Sequence, residues 1–305
     1  MTIFDTGYSA FQYEPVSPLA RIWSLARMEL GKIFKSKKGL VLFILSVVYV
    51  MVLLVLTFLN LGPNSEQFSE IGKQLSPRLS PFTREFYLGY STDAFGFICF
   101  VLLTTIIGVR TIAADKAVNA LEIYWTRGIS PWGYFLGKWI GSFLLLVVVY
   151  VAGPLVVWLY GLLSAPDVTF MQETVKFVPS VILALLIKCA VLSFLAVGFS
   201  GLSSSPNIAM FMWLIGILGS RALVTILKGF ARRHRGDHPE IVQDGPDWYD
   251  ALCPWDAMVR IEEHVAGITS VSDYNVWIAW ASLGALSVVL LVLLRRNLRT
   301  TEVMA

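Results

Sequence analysis

Residues 40–59 (LVLFILSVVYVMVLLVLTFL) run for twenty positions without a charged side chain. A helix needs roughly 20 mostly apolar residues to cross the hydrocarbon of a bilayer. Five further stretches of this kind follow, at about 94–109, 134–163, 177–198, 206–228 and 276–294. They are too long and too uniformly apolar for the alternating strands of a membrane barrel. The 305 residues are 56% apolar or aromatic and only 15% charged, against about 25% charged in an average soluble domain. One core cannot hide that excess and leave a wettable surface, which excludes a soluble enzyme, a disordered regulator and a disulfide scaffold. Cys99, Cys189 and Cys253 are too few and too scattered for a disulfide framework or a CxxC zinc site. A net charge of +3 gives no reason to expect a nucleic-acid partner. The predicted fold is all-α integral membrane, with six transmembrane helices in a single domain spanning 1–305.

Orientation follows from where Lys and Arg fall. Thirteen lie before the first span, around the second-to-third loop and in the tail, and eight lie in the longer loops of the other side. Both termini are therefore expected to be cytoplasmic, with Arg232, Arg233 and Arg235 as the dissenting cluster. The first 20 residues show no apolar run behind early positive charge, so the first span is expected to be a mature helix rather than a signal peptide. No internal sequence repeat is evident. Gly153-Pro154 predicts a kink within the third span.

Residues 18–38 read as an amphipathic interfacial helix on the cytoplasmic face, or more plainly as a basic flank that is helical. Ile22, Leu25, Ala26 and Ile33 share one face, with Trp23, Leu30 and Phe34 beside it. Arg21, Arg27, Lys32 and Lys35 can reach anionic headgroups. Between spans 2 and 3, residues 113–127 read as a short charged helix. Ala113, Ala117, Ala120, Leu121 and Tyr124 lie on or near one face, and Asp115, Lys116 and Glu122 on the polar side. Arg127-Gly128 ends it, and Ser130-Pro131 restarts helix. Such an element is either a docking site for a soluble partner or a solvated hairpin. Gly133, Gly137 and Gly141 recur every four residues at the mouth of the third span. They offer a smooth face for close helix packing, unless they are ordinary helix-end glycines.

The chain offers little chemistry of its own. Gly137-Lys138 is followed by Trp139, and the earlier glycine of a Walker A loop is missing, so no nucleotide site is expected. Gly198-Phe199-Ser200-Gly201 matches the GxSG of intramembrane serine proteases. All three histidines (His234, His238, His264) lie in one external loop, however, too far to serve as its base. These small residues are expected instead to form a tight turn between spans 4 and 5. His234 and His238, with Asp237, Glu240 and Cys253, make at most half a zinc site in a hydrophilic loop, so no metal is expected. Glu262-Glu263 lacks HExxH context. Lys188 and Arg221 are cations within spans and so are costly. No acid lies deep in any span to pair with them. Both are candidates for the substrate path, facing an anionic group, with a contact to backbone carbonyls or lipid as the structural alternative for Lys188.

One pattern resembles a known family. A basic interfacial helix, a first span, a long external segment and a second span lead to Asp115, Leu121-Glu122, Arg127, Ile129-Ser130, Tyr134 to Leu136 and Gly137-Lys138. This resembles the permease subunit of ABC-2-type ATP-binding-cassette transporters. The chain departs from that pattern at Gly128, where Pro is common, and at Pro131, where a basic residue is common. The resemblance implies that 113–127 is a coupling helix, with Asp115, Glu122, Tyr124 and Arg127 contacting a separate ATPase that holds ATP and Mg. It also implies a second permease subunit, as homodimer or heterodimer, in a prokaryotic plasma membrane, with alternating access moving cargo outward. Within 229–275, the aromatic-rich stretch from Trp248 to Ile261 then corresponds to short helices at the outer interface that close the exit. The alternatives are a gradient-driven secondary transporter, for which mid-membrane acids are lacking, and a structural membrane subunit.

Overall fold

The computed structural model describes residues 17–61, 80–126, 128–165, 168–234, 247–268 and 275–302. Among these, every regular element is helical, and six helical runs are long and apolar enough to cross a membrane. They are Gly39–Leu61, Ala94–Ala117, Pro131–Ser164, Val178–Leu202, Pro206–Phe230 and Val276–Asn297, on the six predicted stretches.

In chain order, α1 (Pro18–Lys35) is followed after Ser36 by α2 (Lys37–Leu61). Next come α3 (Arg84–Thr92), α4 (Ala94–Ile107), α5 (Thr111–Ala117) and α6 (Ala120–Thr126). Then follow α7 (Pro131–Tyr150), α8 (Ala152–Ser164), α9 (Thr169–Thr174) and α10 (Val178–Leu202). The fifth span is α11 (Pro206–Leu214), a π turn at Ile215–Gly219, and α12 (Ser220–His234). A 3₁₀ turn (Asp247–Leu252), α13 (Pro254–Ala266) and α14 (Val276–Glu302) complete the described chain. Because spans alternate in direction, α1, α5 and α6 share one end of the bundle, termed the basic end. The 3₁₀ turn and α13 belong to the opposite end.

The bundle is organised around α10, which packs against α5, α7, α13 and α14. Four successive residues, Leu195 to Gly198, are all buried, so at that level no face of α10 is left for lipid, whereas Leu183 nearer its start is exposed. A helix apolar all round belongs inside. By contrast α2, the fifth span and α14 turn large apolar side chains outward, among them Val48, Met51, Phe211, Ile226, Val288 and Val292. Such a surface suits hydrocarbon or a partner helix and would aggregate in water.

The third span breaks where the Gly153-Pro154 pair predicts. Between α7 and α8, Val151 sits at φ −102 and ψ −42. Pro154 carries no N–H for the carbonyl of Tyr150, and its ring crowds that carbonyl.

Two expectations need correction. Residues 113–127 are not one helix, because Asn119 takes a left-handed conformation (φ 52) and separates α5 from α6. Asparagine tolerates that region better than most residues. Gly198-Phe199-Ser200-Gly201 is not a turn but the last helical turn of α10, and the chain leaves the helix only at Ser203. Its small residues serve packing: a Cβ on Gly198 would lie 3.3 Å from Leu290 Cδ1, and one on Gly201 would collide with Leu294. Ser200 Oγ accepts the backbone N–H groups of Ile112 (2.9 Å) and Ala113 (3.0 Å), at the open start of α5. At the opposite end, α13 is largely sealed within the bundle. Trp255, Met258, Ile261 and Glu262 are all buried, although Trp248 of the 3₁₀ turn is exposed.

Candidate functional site

Tyr134 and Lys138 are four residues apart and so share one face of α7. That helix starts cleanly, with Ser130 Oγ accepting the Gly133 N–H at 3.1 Å and Pro131 in the first turn. Just before it, Gly128 has φ 67, a value closed to proline, whose ring fixes φ near −65°. Its N–H reaches the Trp125 carbonyl (2.9 Å) and that of Ile129 reaches Tyr124 (3.2 Å), which ends α6. The local backbone therefore explains why glycine stands where the resembling family often has proline.

The neighbour that the glycine stripe admits is α1. A Cβ on Gly137 would lie 2.8 Å from Leu25 Cβ and 3.1 Å from the Ile22 carbonyl. One on Gly141 would lie 2.7 Å from Glu29 Cβ and 2.9 Å from the Ala26 carbonyl. Gly133 is looser, 3.6 Å from Ile22 Cγ1. At Gly137 and Gly141 the two helices thus touch backbone to backbone, and this brings Glu29 into the bundle, where it is buried.

There Glu29 meets an ionic node. The fully buried Lys138 ammonium donates to Glu29 Oε1 and lies 2.6 Å from Asp115 Oδ2. Tyr134 donates its hydroxyl to the same Asp115 oxygen at 2.7 Å, and Lys32 donates to Glu29 Oε1 at 2.7 Å. Two carboxylates face two ammonium groups, so the node is neutral as a whole. A buried charge is tolerated when it is paired and hydrogen-bonded in this way. Around it the Tyr124 and Tyr134 rings lie 5.1 Å apart, with Trp125 edge-on to Tyr134 at 5.7 Å. Lys116 donates to the Gly201 carbonyl at 2.6 Å, at the end of α10. One node therefore ties together α1, α5 and α7, and Lys116 adds α10.

The sequence-predicted coupling residues separate. Asp115, expected on the polar side, is buried in the node, while Ala117 of the expected apolar face is exposed. The reversal follows from Lys138 and Tyr134, partners from α7 that helical periodicity within 113–127 does not contain. Tyr124 is half-buried on Tyr134. Glu122 faces outward, and beside it Ile123 is 55% and Trp132 44% exposed. Arg127 lies outside the described residues.

At the opposite end the in-span cations also find partners. Lys188 Nζ lies 2.6 Å from Glu262 Oε2, both side chains fully buried, and 4.3 Å from the Trp255 ring centroid. Sequence reasoning sought an acid within the spans and missed this one, which α13 brings in from outside. The signal was present: Trp255, Met258 and Glu262 recur at helical spacing, so Glu262 continues an apolar face. Arg221 packs over the Phe97 ring at 4.3 Å, with Asp256 at 3.7 Å. Lys228 (2.6 Å) and Arg260 (2.9 Å) hold Asp250. Burial raises the Asp256 carboxyl above its ordinary range, outweighing the opposing influences of Cys253 and Arg221. Burial also pushes the Cys253 thiol up to about 11. These groups surround a cavity of about 340 Å³ lined by Arg221, Lys228, Asp250, Asp256, Arg260 and Glu263. Among the described residues, no three His, Cys, Asp or Glu side chains converge to hold a metal ion. Asp237, His238 and Glu240 lie outside them.

No curated protein matches this chain. Residues 23–295 match the family model described as ABC-2 family transporter protein. The match runs from α1 to Arg295 of α14 and takes in five candidate spans whole, all but the last two residues of the sixth, and both charged clusters. The chain therefore belongs to the ABC-2 transporter family, as a multi-pass membrane protein.

Proposed function

We propose that this chain is the permease subunit of an ATP-driven exporter. A separate ATPase, holding ATP and Mg, docks on the basic end, which faces the cytoplasm together with both termini. A second permease subunit, identical or related, packs against the outward-facing apolar spans in a prokaryotic plasma membrane. The observation that carries this reading is the division of labour in residues 111–126. The α6 surface offers Glu122 and Ile123 outward. The adjoining α5 is held by Asp115–Lys138 and Lys116–Gly201 to the third and fourth spans.

Force applied by a closing ATPase at α6 would thus pass into two spans and α1 rather than bend a loose loop. Rocking of the two permease halves then moves cargo from the cytoplasm or inner leaflet outward. Arg221 is 39% exposed at the side chain. Beside the ionic cavity, it is the in-span cation placed to meet a polar group of the cargo. Lys188, closed off by Glu262 and Trp255, serves instead to clamp α13 to α10.

The test is Glu122→Arg in the complex co-purified from native membranes. Glu122 is exposed, so unfolding should be unchanged, while ATPase capture and transport-coupled hydrolysis should fall. Normal capture and normal coupled hydrolysis would overturn the docking site. Absence of any ATPase from the wild-type complex would overturn the permease reading itself.

A further inference from the structure

A second cavity, of about 160 Å³, opens at the basic end between α1, the α1–α2 joint and the α4–α5 corner. Its polar wall is Lys32, Ser36, Arg110 and Thr111, and Ile106 and Ile107 form the apolar side. Pockets that take whole small molecules run to about 300–1,000 Å³, so this notch suits a headgroup-sized fragment. Glu29 also borders it, but that carboxylate is already met by Lys138 and Lys32. The neighbouring node is neutral, which leaves Arg110 as uncompensated positive charge. Arg110 is exposed, and no ion pair to it forms among the described residues. Lys32 spends one of its three donors on Glu29 and has two left.

The surroundings identify the source of the anion. Ile98, Leu102 and Ile106 stand four residues apart on α4, so they form one stripe. Ile98 is 54% and Leu102 41% exposed, and the stripe ends at the notch. Beside it run the outward-turned apolar side chains of α2, which packs against α4. A guanidinium and an ammonium lining one notch at the head of an exposed apolar stripe match a phosphodiester with acyl chains attached. A free phosphate would use the head and leave the stripe unused. Basic side chains at the membrane surface attract anionic lipid in general; a notch with an apolar side and donors from two different helices makes one such contact specific.

We propose that this notch binds the phosphate of an anionic phospholipid, its acyl chains lying along Ile98, Leu102 and Ile106. Because Lys32 shares Glu29 with Lys138, the bound lipid touches a member of the node joining α1 to α7, and it supports α1 against the bundle. The proposal does not depend on an ATPase and is tested on the purified chain alone.

The probes are phosphatidylglycerol, phosphatidylcholine and inorganic phosphate, titrated into delipidated protein in detergent, with thermal unfolding and native mass spectrometry as readouts. Phosphatidylglycerol is expected to bind saturably at one site and raise the unfolding midpoint, while phosphatidylcholine and inorganic phosphate do neither. Arg110→Gln removes a charge-assisted contact and should weaken that binding about tenfold. Since Arg110 makes no ion pair among the described residues, the lipid-free midpoint should stay put. Arg295→Gln, another exposed cation in the tail, should leave the affinity unchanged. Equal binding of both lipids, an equal loss in Arg295→Gln, or saturable stabilisation by inorganic phosphate would each overturn the assignment.

Discussion

Lys188 and Glu262, 74 residues apart in sequence, form an ion pair of 2.6 Å in which neither side chain reaches solvent. The pair fastens α13 to the central helix α10, and Trp255 covers the ammonium group at 4.3 Å. A lone cation at mid-membrane costs at least about 2.5–3.5 kcal/mol. Its partner here comes from a helix that is not itself a span.

Removing one member of such a pair strands the other. Glu262→Gln should destabilise the protein by about 3–5 kcal/mol, seen as a lowered unfolding midpoint in detergent. The double variant Lys188→Met with Glu262→Leu leaves no charge uncompensated and should recover much of that loss. A double variant as unstable as the sum of the singles would show that the two residues do not act as a pair.

The α1–α7 contact makes a steric prediction. Gly137→Leu and Gly141→Leu drive side chains into Leu25, Glu29 and the α1 backbone, at a cost of about 1–3 kcal/mol or more if α1 detaches. Gly284→Ala, with nothing within 4 Å of the added Cβ, is the control and should be neutral or slightly stabilising. Limited proteolysis of α1 distinguishes detachment from general unfolding.

Within the ionic node the two α7 residues should differ in severity. Lys138→Met leaves Glu29 and Asp115 without their shared cation and should cost about 3–5 kcal/mol. Tyr134→Phe removes a single hydrogen bond to a carboxylate, about 1.5–3 kcal/mol, and should still fold. Thermal unfolding checks the order, and equal effects would contradict the shared-cation geometry.

Asp256 gives a pH signature at the opposite end. Its carboxyl is raised by burial, so the folded state holds that proton more tightly than the unfolded chain does. The sign is that of a group whose favourable contribution is complete below its unfolded pKa and is lost as pH rises through the folded one. Asp256→Asn should therefore unfold at a higher temperature than wild type at pH 7.5, with the difference shrinking as pH falls toward 4. A difference that grows on acidification would reverse the assignment.

Cys253 is buried, with its thiol pushed up to about 11. Thiolate is the reactive form, so a maleimide at pH 7.5 should label Cys253 slowly in the native protein and rapidly after denaturation in SDS. Rapid native labelling would show that the start of α13 opens readily.

The six spans were legible because their cause is local: each is a run of apolar residues long enough for a bilayer, whatever packs beside it. The break before Pro154 was legible for the same reason, since a missing N–H and a ring clash act within one helical turn. Glycines at 133, 137 and 141 announced that something approaches closely, but not that α1 is what approaches. Asp115, Ser200 and Glu262 were read as polar surface, turn and loop acid, because their partners Lys138, Ile112 and Lys188 lie 23, 88 and 74 residues away. Periodicity can show which face a residue occupies but not what the facing element supplies. A charge or hydroxyl goes inward only when a partner there offsets its desolvation, and that partner exists only once distant segments have packed. The amino-acid sequence by itself therefore determined a six-span membrane protein with a charged segment between spans 2 and 3. Tertiary structure decided which charges are sealed inside, which are left for partners, and how the helix at the basic end is tied to the bundle.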